Sequence, residues 1–455
     1  MKIKISYLIL FLIFALTLGI RLYLVFSVPN FSDDAYLQLR HINSLVQDKK
    51  LIFYDELSYG GRYVLQPPLF NILMALFTFG NNFLLKLIPE FLFSLLVIIV
   101  YFTAKEISGD EYSSLFAALL SGFVPIFLKN TMNLISPYSL ALPLLLFMFY
   151  SVLKLEQKFY RNTFIVISFL LPFIHPIGIL FIITMIFYFL ILSGGAVTAT
   201  KIKNEAVLFA CLAIIFIEII IYRKALFAYG LSTIWQNIPI NILEDSYRQF
   251  TATELLLGVG LLPLVLGSIG VYLGMNQKNK AGYIFAGFIL SILALLVLRL
   301  ITMADGLMIL GIALSIFSAS AITKIKTYFN KTKLGGLNYG IALILLVSFV
   351  LFSFVPSYVK PEYVNSDDIN DMLWLKENTK PGDTVIGNLH QGHLINSVAG
   401  RKNVVDTNFL LAPNPVKRLK DIDLIYNTFT EAKILEVIRT YNVKVIYLSD
   451  NTKKL

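Results

Sequence analysis

The chain is poor in charge and nearly devoid of cysteine. Only 15% of its 455 residues are Asp, Glu, Lys or Arg, where a soluble globular protein carries about a quarter. The single cysteine, Cys211, excludes an intramolecular disulfide and a cysteine-built zinc site. No internal repeat is visible, which argues against a transporter assembled from duplicated halves. No small-residue cleavage site closes the first apolar run, so that run reads as a retained signal anchor rather than a cleaved peptide.

What is present is apolar. Hydrophobic residues make up 57%, with 37 Phe and 24 Tyr, and the mean hydropathy is +0.74. That excludes a soluble enzyme and a disordered chain, and it fits a polytopic membrane protein with aromatic belts. The net charge of +10 suggests nucleic acid only until it is located. Residues 357–455 are nearly balanced, with 13 Lys and Arg against 12 Asp and Glu. The excess lies between apolar runs, where it orients helices in a bilayer, so no nucleic-acid partner is expected.

A spanning helix needs ~20 apolar residues. Runs at 5–28, 84–103, 113–129, 135–152, 164–174, 177–192, 206–222, 255–275, 282–298, 306–322 and 339–355 predict about eleven spans. With the N-terminus inside, Lys105, Lys154, Lys158, Arg161, Lys201, Lys203, Lys278, Lys280 and the lysines from Lys324 to Lys333 all fall on the inner side, as the positive-inside rule requires. A single kinked span through His175-Pro176 would put the later lysines outside, so two spans are read there. The expected organisation is a transmembrane domain over 1–355, with outer loops at 29–83 and 223–254, and a small extracytoplasmic α/β domain over 356–455. In the latter, helices are predicted at 367–378 and 431–441 and strands at 384–387, 403–405 and 443–448.

The first outer loop opens Ser32-Asp33-Asp34-Ala35-Tyr36-Leu37-Gln38-Leu39-Arg40-His41. Ala35, Leu39, Ile42 and Val46 recur at helical spacing, with Ser32 placed to cap the helix. Asp33 and Asp34 then suit its first turn for the dipole alone. They also suit chemistry: a carboxylate at the bilayer surface can take a proton from an acceptor hydroxyl or hold a divalent cation beside a phosphate. The loop continues through Tyr54-Asp55-Glu56-Leu57-Ser58-Tyr59-Gly60-Gly61-Arg62 to Gln66-Pro67-Pro68-Leu69, where the prolines start a short helix at 69–79 lying on the membrane.

An inner N-terminus, one span, an acidic outer loop and a Pro-Pro-Leu helix resemble the GT-C superfamily of integral-membrane glycosyltransferases. Asp33-Asp34-Ala35-Tyr36 with Arg40 a turn later most resembles the catalytic subunit of oligosaccharyltransferase. In the tail, the run from Gly387 through His390, Gly392 and His393 to Ala399, Arg401 and Asp406 is similar in spacing to the segment of that subunit that opens Trp-Trp-Asp-Tyr-Gly, but only Gly392 matches the opening motif. The family's motif reads an Asn-x-Ser/Thr sequon, so its loss points to another acceptor.

The resemblance implies a fold and a reaction: an α-helical polytopic membrane protein that moves a sugar from a polyprenyl phosphate or pyrophosphate to a protein, lipid or glycan on the outer face. Asp33 and Asp34 are the candidate catalytic residues and candidate ligands of Mg or Mn. Arg299, at the outer end of a span, is the candidate for the lipid phosphate, since a guanidinium binds phosphate bidentately; the alternative is a snorkelling arginine near Asp305. Arg40, Arg62, His175 and Glu218 complete the candidate substrate-binding set. The mouth at Lys129-Asn130-Thr131-Met132-Asn133 carries no acid where many relatives do, which weakens a metal site. His390, His393 and Asp406 form a weak zinc pattern. Rival readings are a true oligosaccharyltransferase, a lipid-linked sugar transporter or flippase, and an inactive scaffold.

Overall fold

The computed structural model describes residues 4–194, 200–276, 280–331, 340, 347–350, 360–428 and 430–449. The chain opens with α1 (Ile5–Phe26), α2 (Ala35–Gln47), a ribbon of β1 (Tyr54–Asp55) and β2 (Arg62–Tyr63), and α3 (Leu69–Thr78). Then come α4 (Asn82–Ser108), α5 (Glu111–Gly122), α6 (Pro125–Thr131), α7 (Tyr138–Leu153), α8 (Lys158–Leu170), α9 (Gly178–Gly194) and α10 (Lys201–Tyr229). The second half holds α11 (Ile240–Ser246), α12 (Ala252–Val259), α13 (Leu261–Asn276), α14 (Lys280–Val297) and α15 (Met303–Asn330).

Among the described residues, 5 helices are long and apolar enough to cross a membrane, or up to 7 if each of two bent pairs is one span. That is fewer than the eleven expected. Apolar runs at 135–152 and 177–192 became α7 and α9, which are shorter than a full crossing. The run at 164–174 divides between α8 and a 3-10 turn at Leu171–Phe173, because Pro172 and Pro176 interrupt the helical ladder. The run at 339–355 lies largely outside the described residues.

The bends have local causes. Pro125 starts α6 after a break from α5, and the pair bends by 45°. The pair α12 and α13 bends by 95° at Gly260, whose φ of +90° suits glycine and strains other residues. The central helix is α15: 94% of its apolar window is buried, against 28% for the lipid-facing α1. Packing onto α15 depends on small residues. A Cβ at Gly267 of α13 would lie 2.6 Å from the Leu314 carbonyl oxygen, and one at Gly270 would overlap the Phe317 carbonyl. Lipid gives no hydrophobic drive for helix pairing, so close backbone approach supplies the contact.

The tail is a small α/β unit. Strands β3 (Thr384–Ile386), β4 (Lys402–Asn403) and β5 (Val443–Ile446) form a parallel sheet in the order β4-β3-β5. Helices Ser366–Asn378, Pro415–Asn427 and Glu431–Tyr441 accompany it. The helix at Pro415–Asn427 has no counterpart in the sequence reading. The first loop joins this sheet: Asn403 N donates to Leu57 O at 2.9 Å, and Tyr59 N donates to Asn403 O at 2.9 Å.

Candidate functional site

Helix α2 starts one residue after Asp34, and its cap differs from the expected one. Ser32 does not cap it; its hydroxyl donates to Asn133 O at 3.2 Å instead. This ties the acidic turn to the mouth between α6 and α7. Asp34 is exposed and faces a cavity of about 630 Å³. Gln38, one turn along α2, lines the same wall, with His393 and Thr407 from the tail, Thr131, Ser136 and Tyr138 from the mouth, Gln236 and Asp245 from the loop after α10, and Thr302 and Asp305 from the start of α15.

The acidic turn is uneven. Asp33 is partly buried, and burial is the main force raising its carboxyl to about 6; the neighbouring Asp34, Asp368 and Glu362 push the same way, and His390 opposes them. Asp33 is not among the cavity-lining residues. At the α15 end, the Thr302 hydroxyl donates to Asp305 Oδ2 at 2.7 Å and accepts from Asp305 N at 3.2 Å, and Tyr138 lines the cavity with them. His393 Nε2 lies 2.9 Å from the Thr407 hydroxyl. Burial holds this imidazole below its usual range, against the pull of Asp406, so it is neutral at pH 7.

Below the mouth lies a buried ion pair that the sequence reading did not flag. Arg21 Nε meets Glu90 Oε2 at 2.7 Å, with both side chains almost fully buried. Arg21 Nη2 donates to the Thr131 hydroxyl at 2.8 Å, and Asn133 N donates to Glu90 Oε1 at 3.0 Å. The mouth thus receives its acid from α4 rather than from its own residues.

The other expected site residues scatter. Arg299 is exposed at φ +55°, and its carbonyl accepts from Trp235 Nε1 at 2.8 Å. Its side chain is not among the described lining residues, although Thr302 and Asp305 of the same turn are. Arg40 pairs with Asp55 at 2.7 Å. Arg62 is buried against Asp406 at 2.6 Å and Asp55 at 3.4 Å. Both guanidinium groups are thus engaged in holding the first loop. His175 accepts from Ile177 N at 3.1 Å, capping its own turn, and its ring lies 4.2 Å from that of Tyr138. Glu218 is buried on α10 with no hydrogen-bond partner among the described residues. Lys224, on the same helix, lies over the Tyr63 ring.

Among the described residues, no three His, Cys, Asp or Glu side chains come together to hold a metal ion. Asp368 and Glu362 act on Asp33 through their charge, but they do not close with Asp33 and Asp34 into a set that could hold Mg or Mn, which favour several oxygen ligands. The zinc pattern fails as well, because His393 is bonded to Thr407 and Asp406 to Arg62.

The fold is recognisable by comparison. The oligosaccharyltransferase AglB from Archaeoglobus fulgidus, solved with an inhibitory peptide and a dolichol-phosphate, superposes with a TM-score of 0.74 at 15% identity, over 97% of this chain and 69% of that one. The chain has the GT-C fold. ArnT from Cupriavidus metallidurans, solved with undecaprenyl phosphate, is similar with a TM-score of 0.60 at 10% identity, over 94% of both chains. AglB has also been solved with Zn and sulfate. No family model matches the sequence, and no curated protein matches it. Gln38, Asp245, Asp305 and Tyr138 line the cavity, and the sequence reading missed them or valued them for other reasons. Only Asp305 left a signal, as an acid close to the outer end of a span.

Proposed function

We propose that this protein is a membrane glycosyltransferase moving a sugar from a polyprenyl phosphate or pyrophosphate to an acceptor on the outer face. The observation that carries the reading is the exposed Asp34 carboxylate on the wall of one cavity shared by the first loop, the mouth, the start of α15 and the tail. In this reading the N-terminus is cytoplasmic, 1–355 forms the membrane domain, and 356–455 is extracytoplasmic.

Asp34 takes the proton from the acceptor hydroxyl. The freed oxygen bonds to the anomeric carbon as the carbon–oxygen bond to phosphate breaks, and the electron pair leaves with the phosphate. Arg299 sits three residues before Thr302 with its side chain exposed. There it meets the phosphate and offsets its growing charge. Asp33 is set back from the cavity and takes no part in the step.

A protein acceptor, as in oligosaccharyltransferase, is a second reading, favoured by the likeness to AglB and by the tail's His393 and Thr407 in the cavity wall. Purified protein given radiolabelled polyprenyl-phosphate sugars, with peptide, lipid or glycan acceptors, tests both. Label reaching an acceptor supports transfer. Label that only crosses the membrane, or stays on the carrier, would refute it.

A further inference from the structure

We infer that the helical bundle holds an anionic phospholipid by its phosphate, in a basic site between the starts of α10 and α14 on the side away from the tail. Lys203 carries the argument. It is 8% exposed and has no hydrogen bond or ion pair with a described residue. Its nitrogen is not sealed off as the Glu218 oxygens are, so it can meet an occupant. The charges that act on it are Lys280, of like sign, and the exposed Glu156. A buried ammonium left unpaired is costly, and a second lysine nearby raises that cost. The positive-inside tendency sets lysines in water at a membrane face; it gives no reason to bury one.

The backbone adds to the field. Helix α10 starts at Lys201 and α14 at Lys280, and neither has an acid in its first turn. Each start is the positive end of a helix dipole, where an anion is favoured and a lysine is not. Packing brings the two starts together. Helix α9 runs antiparallel to α14, with the Thr184 and Ser291 hydroxyls 2.9 Å apart and Gly287 against the Tyr188 backbone. The start of α14 therefore lies beside the end of α9, from which the chain leads on to α10. Lys224, on the same helix as Lys203, lies over Tyr63 of the first outer loop. The rise between the two lysines is about 32 Å at the helical repeat, one hydrocarbon thickness, so Lys203 sits at the far headgroup level. Ile202, Leu208, Phe209 and Leu212 of α10 are exposed and apolar. They give acyl chains a surface beside the site, which favours a lipid over a free anion. Basic pockets between spanning helices take anionic headgroups in this way.

Full-length protein in a neutral detergent is titrated with phosphatidylglycerol or phosphatidylcholine, and bound lipid is counted by native mass spectrometry. Phosphatidylglycerol should bind at least about fivefold more tightly, and Lys203→Gln and Lys280→Gln should each weaken it about fivefold, while Lys203→Arg retains it. Lys324→Gln, which removes an exposed lysine near the end of α15, should leave it unchanged. Equal binding of the two lipids overturns the inference. So does a loss in Lys324→Gln as large as in Lys203→Gln, which would mean diffuse surface charge. Displacement of the lipid by millimolar inorganic phosphate would make the occupant a free anion and also overturns it. If Lys203→Gln does not fold, Lys280→Gln decides, and wild-type binding of phosphatidylglycerol by that variant is the overturning result. None of these outcomes bears on sugar transfer, which the radiolabel assay reads separately.

Discussion

Arg62 and Asp406 are 344 residues apart in sequence and form a buried two-pronged ion pair, with Nη1 to Oδ1 at 2.8 Å and Nη2 to Oδ2 at 2.6 Å. The pair fastens the first outer loop to the tail, and so fixes the position of Asp34 relative to His393 and Thr407 across the cavity.

Removing one partner of a buried pair strands the other charge, which costs about 3–5 kcal/mol. Arg62→Ala and Asp406→Ala should therefore each lower the melting temperature of the detergent-solubilised chain markedly. Arg62→Lys should lie between them and wild type, since an ammonium cannot reproduce the two-pronged geometry. Unchanged melting in both alanine variants would show that the loop and tail are held by their other bonds, the backbone pair at Asn403 and the Arg418 and Thr440 contacts with Tyr59.

If Asp34 is the base, Asp34→Asn should reduce transfer by about 100-fold to 10,000-fold, the usual contribution of a positioned base, without changing the melting temperature. Asp33→Asn should leave more activity than Asp34→Asn. Turnover assays with a fixed lipid-linked donor decide between them, and the reverse order would place the base on the buried member of the pair.

Much of this arrangement was legible along the chain because its signals are local. The prolines at 67 and 68 start α3 where expected, the alternation of the tail yields helix Glu431–Tyr441 and strands β3 and β5, and the Asp33-Asp34 turn leads into α2. Long-range pairing was not legible. Ser32 has the chemistry of a cap, yet its partner is a carbonyl 101 residues away. Arg62 reads as a free cation until Asp406 is folded beside it. Glu90 lies within an apolar run that gives no hint of Arg21. Gln38 is an ordinary polar residue on the helix until its turn is seen to line a cavity.

The pH dependence of stability should show Asp33. Its folded carboxyl sits at about 6, above the ordinary 3.8, so the folded state holds the proton more tightly than the unfolded state. The stabilisation this gives is fully present below about pH 3.8 and is lost as pH rises through about 6. Asp33→Asn, which cannot ionise, should therefore gain melting temperature relative to wild type as pH increases from 4 to 7 (about the window set by those values). A constant difference across that range would mean that Asp33 ionises as freely in the folded protein as in the unfolded chain.

Arg299 separates a phosphate partner from a side chain that merely reaches for water. Holding phosphate oxygens two at a time needs the guanidinium fork, so Arg299→Lys should keep only part of the wild-type rate with a lipid-phosphate donor, and Arg299→Ala should lose more, chiefly through kcat. A snorkelling arginine would be replaced equally well by lysine, whose long stem also carries its charge to the interface. The backbone adds a control. Arg299 adopts a left-handed φ of +55°, and its carbonyl accepts from Trp235, so Arg299→Gly relieves the backbone and keeps the carbonyl while removing the charge. If Arg299→Gly retains full donor use, the phosphate belongs to another group; if it fails like Arg299→Ala while melting normally, the loss lies in the guanidinium rather than in the turn.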